Sequence, residues 1–209
     1  MKFSMSRRRS LRQLAAGALA VQAGAALMPP AAQAQGAVTR IVVPFPPGGS
    51  TDLLARRIAE ALAPTLGHPV IVENRAGAGG TVGADYVSKA VPDGHTLLLG
   101  VTGSNAIAQS LYPSLPYNVL TGFAPVSMVV TAPLVVSVNP SVKAQTLAEF
   151  IALAKARPDS VSFGSAGNGT SMHLTGEMFK IATGTAMVHV PYRGNGGAMT
   201  DLMGGQIEA

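Results

Sequence analysis

Three stretches of this sequence join glycine, hydroxyl side chains and a following helical pattern, a combination suited to holding an anion. Pro44 to Asp52 carries Phe45, Gly48, Gly49, Ser50, Thr51 and Asp52. Gly164 to Thr170 carries Ser165, Ala166, Gly167, Gly169 and Thr170. Thr102-Gly103-Ser104 is the third. Each is expected to open a helix, whose first N–H groups lack intrahelical partners and carry partial positive charge. A carboxylate is a fitting guest at such a position. Glycine lets the backbone come close to a ligand, and the hydroxyls add donors. Any one of these loops reads equally as an ordinary turn with its cap. Their recurrence in both halves of the chain favours a cleft between two lobes.

Other residues admit two readings each. Asp52 could accept a ligand ammonium or hold a water, but its type and place favour capping its own helix. Arg193 could reach a ligand anion or face solvent. Ser165 with His173 brings a hydrolase to mind, yet Gly164-Ser165-Ala166-Gly167 lacks the G-x-S-x-G elbow. His173 stands near a helix start and is expected to satisfy local hydrogen bonds. His68, His95, His173 and His189 show no metal-ligand spacing. The run Gly77-Ala78-Gly79-Gly80-Thr81-Val82-Gly83 has the wrong spacing for a dinucleotide fingerprint, and no acid follows the next strand. Neither cofactor, metal nor catalytic residue is expected.

The elements that must position these loops alternate. Arg40–Val43, Val70–Val72, Thr96–Val101, Val161–Phe163 and Met187–Val190 read as short buried strands. Amphipathic helices are expected after Thr51, over 82–90, up to Tyr112, over 147–156, over 171–181 and after Gly197, with Ser50, Thr51 and Asp52 as cap candidates for the first. Strand, loop and helix in alternation argue an α/β fold with parallel sheets. Open α/β sheets bind ligands at the carboxyl ends of their strands, where these loops lie. Residues 113–125 are proline-rich and irregular, and the β-branched run Val126–Val138 reads as a crossover. The expected division is therefore lobe 1 over 35–125 and lobe 2 over 126–209, with a hinge near 126–131.

Composition narrows the function. There is no Cys or Trp among 209 residues, which excludes disulfide scaffolds, zinc–thiolate sites and thiol nucleophiles, and leaves Val, Leu, Ile, Ala and Met to build the core. The formal charge of +5 is concentrated in Lys2, Arg7, Arg8, Arg9 and Arg12. Beyond them ten basic residues face ten acidic ones, and no basic stripe for nucleic acid is visible. Residues 1–34 read as an export signal: a basic start, an Ala-rich apolar run from Leu14 to Met28, and Ala32-Gln33-Ala34 before a cleavage point. The arginines fit a twin-arginine signal or a plain secretory one. A soluble periplasmic protein is expected, as a monomer.

Several motifs, in order, resemble one family. They are Ile41-Val42-Val43-Pro44-Phe45-Pro46-Pro47-Gly48-Gly49-Ser50-Thr51-Asp52 and Glu73-Asn74-Arg75-Ala76-Gly77-Ala78-Gly79-Gly80. Pro92-Asp93-Gly94-His95-Thr96-Leu97, Gly164 to Leu174, Val190-Pro191-Tyr192-Arg193-Gly194 and Asp201-Leu202-Met203-Gly204-Gly205-Gln206 complete the set. The chain resembles the Bug-type extracytoplasmic solute receptors of tripartite tricarboxylate transporters. The resemblance implies a two-lobed, flytrap-like periplasmic-binding-protein fold of type II and a small carboxylate as ligand. Membrane transporter subunits are its implied partners; a sensor subunit for a signalling partner is the other reading. It places Phe45, Gly48, Ser50, Thr51 and Asp52, with Ser165, Ala166, Gly169 and Thr170, around the carboxylate. Family members run well past residue 209, so the fold is expected to be incomplete here.

Overall fold

The computed structural model describes residues 38–209; the expected export signal over 1–34 lies outside the described residues. Two small parallel sheets organise the chain. In the first, β1 (Thr39–Val43) lies between β2 (Val70–Asn74) and β3 (Thr96–Leu98). Ile41 sits opposite Val72 on one side and Leu97 on the other. In the second, β4 (Ser162–Ser165) pairs with β5 (Val188–Pro191), Phe163 opposite His189.

Helices return the chain between strands, as parallel pairing demands. Helix α1 (Ser50–Leu66) follows β1, α2 (Thr81–Ser88) follows β2, and a π-helical stretch Gly103–Ile107 runs into α3 (Ala108–Leu111) after β3. Helix α4 (Leu147–Ala156) precedes β4, α5 (Ser171–Thr183) joins β4 to β5, and α6 (Asn195–Met203) follows β5. The α1 helix ends at Gly67, whose left-handed φ of 69° suits a residue without Cβ.

Each sheet has its own core. Ile41, Val43, Ala55 and Ala59 are buried under the first, with Val72 and Leu97 packed on them. Phe150, Ala154, Val161, Phe163 and Met187 are buried under the second. Two aromatic rings thus stand at the centre of the second core, where composition pointed to aliphatic residues alone. They lie close to small neighbours: a methyl group on Gly176 of α5 would overlap the Phe163 ring.

Two expectations change in detail. The third strand is shorter than Thr96–Val101, because its partner β1 ends at Val43; Leu99 N still donates to Val42 O at 2.9 Å. The β-branched stretch 126–138 forms no ladder among the described residues, and Val126, Met128 and Val135 are about four-fifths exposed. No helix among the described residues is long and apolar enough to cross a membrane.

Candidate functional site

The loop leaving β1 is held by a buried carboxylate. Asp52, in the first turn of α1, has 2% of its surface exposed. Its Oδ2 accepts from Gly48 N at 3.0 Å and Arg56 Nε at 3.0 Å. Its Oδ1 accepts from Arg56 Nη2 at 3.1 Å and Asn74 Nδ2 at 2.9 Å. The same Asn74 amide donates to Phe45 O at 3.0 Å, tying the end of β2 to the loop. The Arg56 hydrogen bonds outweigh burial, with Gly48 and Asn74 adding to them, and hold the Asp52 carboxyl down at about 2. Asp52 therefore fixes the loop from behind and has its lone pairs in use. Nor does it cap α1: the N-cap is Gly49, with Ser50 and Thr51 already inside the helix.

On the other side, the loop after β4 is tied down by hydroxyls and imidazoles. Ser165 is fully buried; its Oγ accepts from Gly167 N at 3.1 Å and lies 2.6 Å from His189 Nε2. Thr170 Oγ1 donates to Gly167 O at 2.7 Å and caps α5 by accepting from His173 N at 3.4 Å. Gly169 N donates to His173 Nδ1 at 3.2 Å. His173 thus serves local hydrogen bonding, as its position near a helix start led one to expect.

These loops meet at the carboxyl ends of both sheets. Pro44 to Gly49 and Gly77 to Gly80 face Ala166 to Asn168 and Tyr192 to Asn195. A cavity of about 370 Å³ lies between them, lined by Phe45, Gly79, Tyr112, Gly167, Asn168 and Arg193 among others. A larger one of about 530 Å³ opens beside Phe45, Ser50, Thr51, Gly103, Ala166 and Thr170 and continues along apolar side chains such as Val135, Phe150 and Phe163. The two sides touch. Asn195 Nδ2 donates to Ser50 Oγ at 3.1 Å, and a Cβ on Gly103 would stand 3.1 Å from Gly169 O. At Gly79, with φ 64°, a Cβ would overlap the Asn168 carbonyl.

Side-chain capping differs among the helices. Helices α4 and α5 have side-chain caps, from Thr146 and Thr170. Helices α1, α2 and α6 have none, and all three start at the cleft after a glycine: Gly49, Gly80 and Gly194. The leading N–H groups of α1 and α6 are free to face a guest, whereas at α2 Gly80 N and Thr81 N already donate to Gly77 O and Ala78 O. Of the residues lining the two cavities, Arg193 is the one with a charged side chain; it is exposed and has no ion pair among the described residues. Helix N-termini and the Arg193 guanidinium each bring positive charge to the cleft.

Measured against the sequence, Phe45, Ser50, Thr51, Ala166, Thr170 and Arg193 line the cavities, while Gly48 and Gly49 form the loop beside them. Others stand back. Ser104 is fully buried, with Oγ 2.7 Å from Asn105 Oδ1 and its carbonyl accepting from Tyr117 at 2.7 Å. Ser165 is buried behind Gly167, Thr102 is exposed beside the cavities, and Gly169 packs against Leu111. Gly167, one of the loop glycines expected near a ligand, lines the cleft, and so do Gly77–Gly80, Tyr112, Asn168, Tyr192 and Asn195, which the sequence does not single out as ligand-binding. The glycine run was discoverable, since it follows a strand and opens a helix like the other loops. Tyr192 is anchored by its hydroxyl, 2.6 Å from Asp201 Oδ2; that bond and burial raise the phenol to about 12.

Two parallel α/β sheets whose loops meet at one cleft are the architecture of a periplasmic-binding-protein fold. Residues 54–209 match the Tripartite tricarboxylate transporter family receptor family, and the chain belongs to it. Protein BugT of Bordetella pertussis (strain Tohama I) is 48% identical over 171 residues, which are 81% of this chain and 52% of BugT. The solved periplasmic binding protein BugD is 37% identical with a TM-score of 0.74, over 82% of this chain and 57% of BugD. The R. palustris protein Rpa4515, solved with adipate, is 35% identical with a TM-score of 0.79, over 81% and 57% of the two chains. The chain spans about half the length of the curated relatives it matches.

Proposed function

We propose that this chain is the solute-capturing receptor of a tripartite tricarboxylate-type transporter, exported to the periplasm, and that its ligand is a small carboxylate. The observation that carries this reading is the convergence of two uncapped helix N-termini, of α1 and α6, on a cleft whose charged lining side chain is Arg193. Main-chain N–H groups of α1 and α6 would hold carboxylate oxygens, and Arg193 would supply the countercharge. Phe45 and Tyr112 offer an apolar floor for the carbon skeleton. The adipate bound by one relative is a guest of this kind.

Within this reading, lobe 1 ends near residue 125 and lobe 2 begins at 126, with the hinge over 126–131. Closure brings Ser50 to Asn195 and Gly103 to Gly169, so the liganded form would be the one with these contacts made. Ser165 Oγ lies 2.6 Å from His189 Nε2, but a hydrolase would need that oxygen open to substrate, and Ser165 has no exposed surface.

The test is a thermal-shift and calorimetric screen of the purified chain against adipate, succinate, citrate and aspartate. An acid at a hundred times its Kd should add about 2.7 kcal/mol of stability. A chain that melts cooperatively and responds to none of them would overturn the carboxylate assignment.

A further inference from the structure

Behind the 166–170 loop lies a pair of histidines that the capture of a carboxylate does not itself require. His189 of β5 is sandwiched between two rings. Phe163 of β4 stacks on one side at 4.9 Å and His173 of α5 on the other at 4.1 Å. Each histidine reaches one amide of the loop. His173 Nδ1 accepts from Gly169 N directly. His189 Nε2 sits 2.6 Å from Ser165 Oγ, which accepts from Gly167 N.

We propose that His173 and His189 are positioning residues that hold the 166–170 loop in its ligand-receiving shape, and that the hold requires an unprotonated His173 Nδ1. An imidazole nitrogen accepts a hydrogen bond only without its proton. Protonating Nδ1 would point its N–H at the N–H of Gly169 and break the tie. Two stacked imidazoles at 4.1 Å also oppose carrying charge together. The groups facing the pair add up to little net charge: Glu177 and Lys180 of α5 form an ion pair at 3.0 Å, and Tyr112 from the first lobe lies near Gly169. Burial first, and His173 next, lower the basicity of His189, in keeping with a pair built to be neutral. Protonation of His173 Nδ1 therefore releases the loop, and acid loosens what the unprotonated ring holds. The functional half of this proposal rests on the receptor reading above; the loop geometry does not.

The experiment follows the Gly167 and Gly169 amides of the ¹⁵N-labelled chain by NMR, without ligand, together with the ¹⁵N shifts of the imidazoles. Hydrogen-exchange protection at Gly169, corrected for the intrinsic rate, should fall about five- to tenfold from pH 8 to pH 5, in step with His173 protonation. His173→Asn places a carbonyl oxygen where Nδ1 stood and has no proton to gain; it should keep the protection and lose the pH dependence. His173→Phe should lack protection throughout, and if it fails to fold, the comparison of wild type with His173→Asn still decides. Flat protection in the wild type, or the same fall in His173→Asn, would overturn the proposal. Succinate and citrate titrations run in parallel: absence of binding would count against the receptor reading alone, because the loop measurement uses no ligand.

Discussion

Asn195 and Ser50 are 145 positions apart in sequence, and a single hydrogen bond of 3.1 Å joins them across the cleft. It links the first turn of α6 to the first turn of α1. It exists only when the two sides are together. Asn195→Ala should therefore weaken carboxylate binding about three- to tenfold, the worth of one partly exposed hydrogen bond. The unliganded melting temperature should stay within about 2 °C, as for a surface change. Calorimetry and a thermal melt check the two halves; equal loss in both would mean that the bond serves folding instead.

Gly103 tests closure from the other edge. Its added Cβ would meet Gly169 O at 3.1 Å and Thr170 Cα at 3.3 Å across the cleft, and Gly79 O at 3.2 Å on its own side. These are backbone atoms with little room to yield. Gly103→Ala should keep the lobes apart, lower affinity about tenfold or more, and cost about 1–2 kcal/mol of stability. Small-angle scattering with ligand present should show a larger radius than the wild type under the same conditions.

The Asp52 carboxyl sits at about 2 against an ordinary 3.8. A carboxylate favoured by the fold contributes stability above its unfolded value, near pH 4. That contribution disappears as pH falls through the folded value, near pH 2. Arg56 is half exposed, so solvent screening reduces the contribution to about 1–2 kcal/mol. Asp52→Asn should remove this component of acid sensitivity and destabilise the chain at pH 7 by about 1–3 kcal/mol, since Gly48 N and Arg56 lose a charged acceptor. Urea titrations at pH 7, 4 and 2.5 measure it.

Thr146 caps α4 with a reciprocal box: its side chain accepts from Glu149 N at 3.2 Å, and Glu149 Oε2 accepts from Thr146 N at 3.2 Å. Thr146→Ala should cost about 1 kcal/mol and leave ligand affinity untouched, because α4 starts away from the cleft. A change in affinity would show that the core around β4 and β5 is softer than its packing implies.

The second core supplies a packing test. Gly176 faces the Phe163 ring with no room for a methyl group. Gly176→Ala should destabilise by about 1–3 kcal/mol despite the better helix propensity of alanine. A neutral or stabilising result in a denaturant melt would show that Phe163 can move.

Much of the architecture was legible because buried parallel strands are written as short apolar runs. Ile41-Val42-Val43 and Val70-Ile71-Val72 fall in the sheet, and the glycine-rich loops after them open helices as expected. What the one-dimensional pattern could not convey was which hydroxyls face the guest. Ser50 and Ser165 occupy equivalent-looking loops, yet one is exposed and the other fully buried on a histidine 24 positions away. The role of Asp52 depends likewise on Asn74, at the end of the neighbouring strand. Such partners are set by sheet register, which local sequence does not encode. The β-branched run at 126–138 carries strand propensity, but no partner strand lies beside it among the described residues, and propensity alone makes no ladder.

The absence of side-chain caps on α1 and α6 has an evolutionary reading. The donors at their starts belong to the main chain, which every amino acid but proline supplies. If the proposed carboxylate is held there, point substitutions nearby would resculpt the walls and change the guest while the grip on its acid group stayed in place. A lineage could then exchange one acid for another many times over without ever passing through a form that holds none.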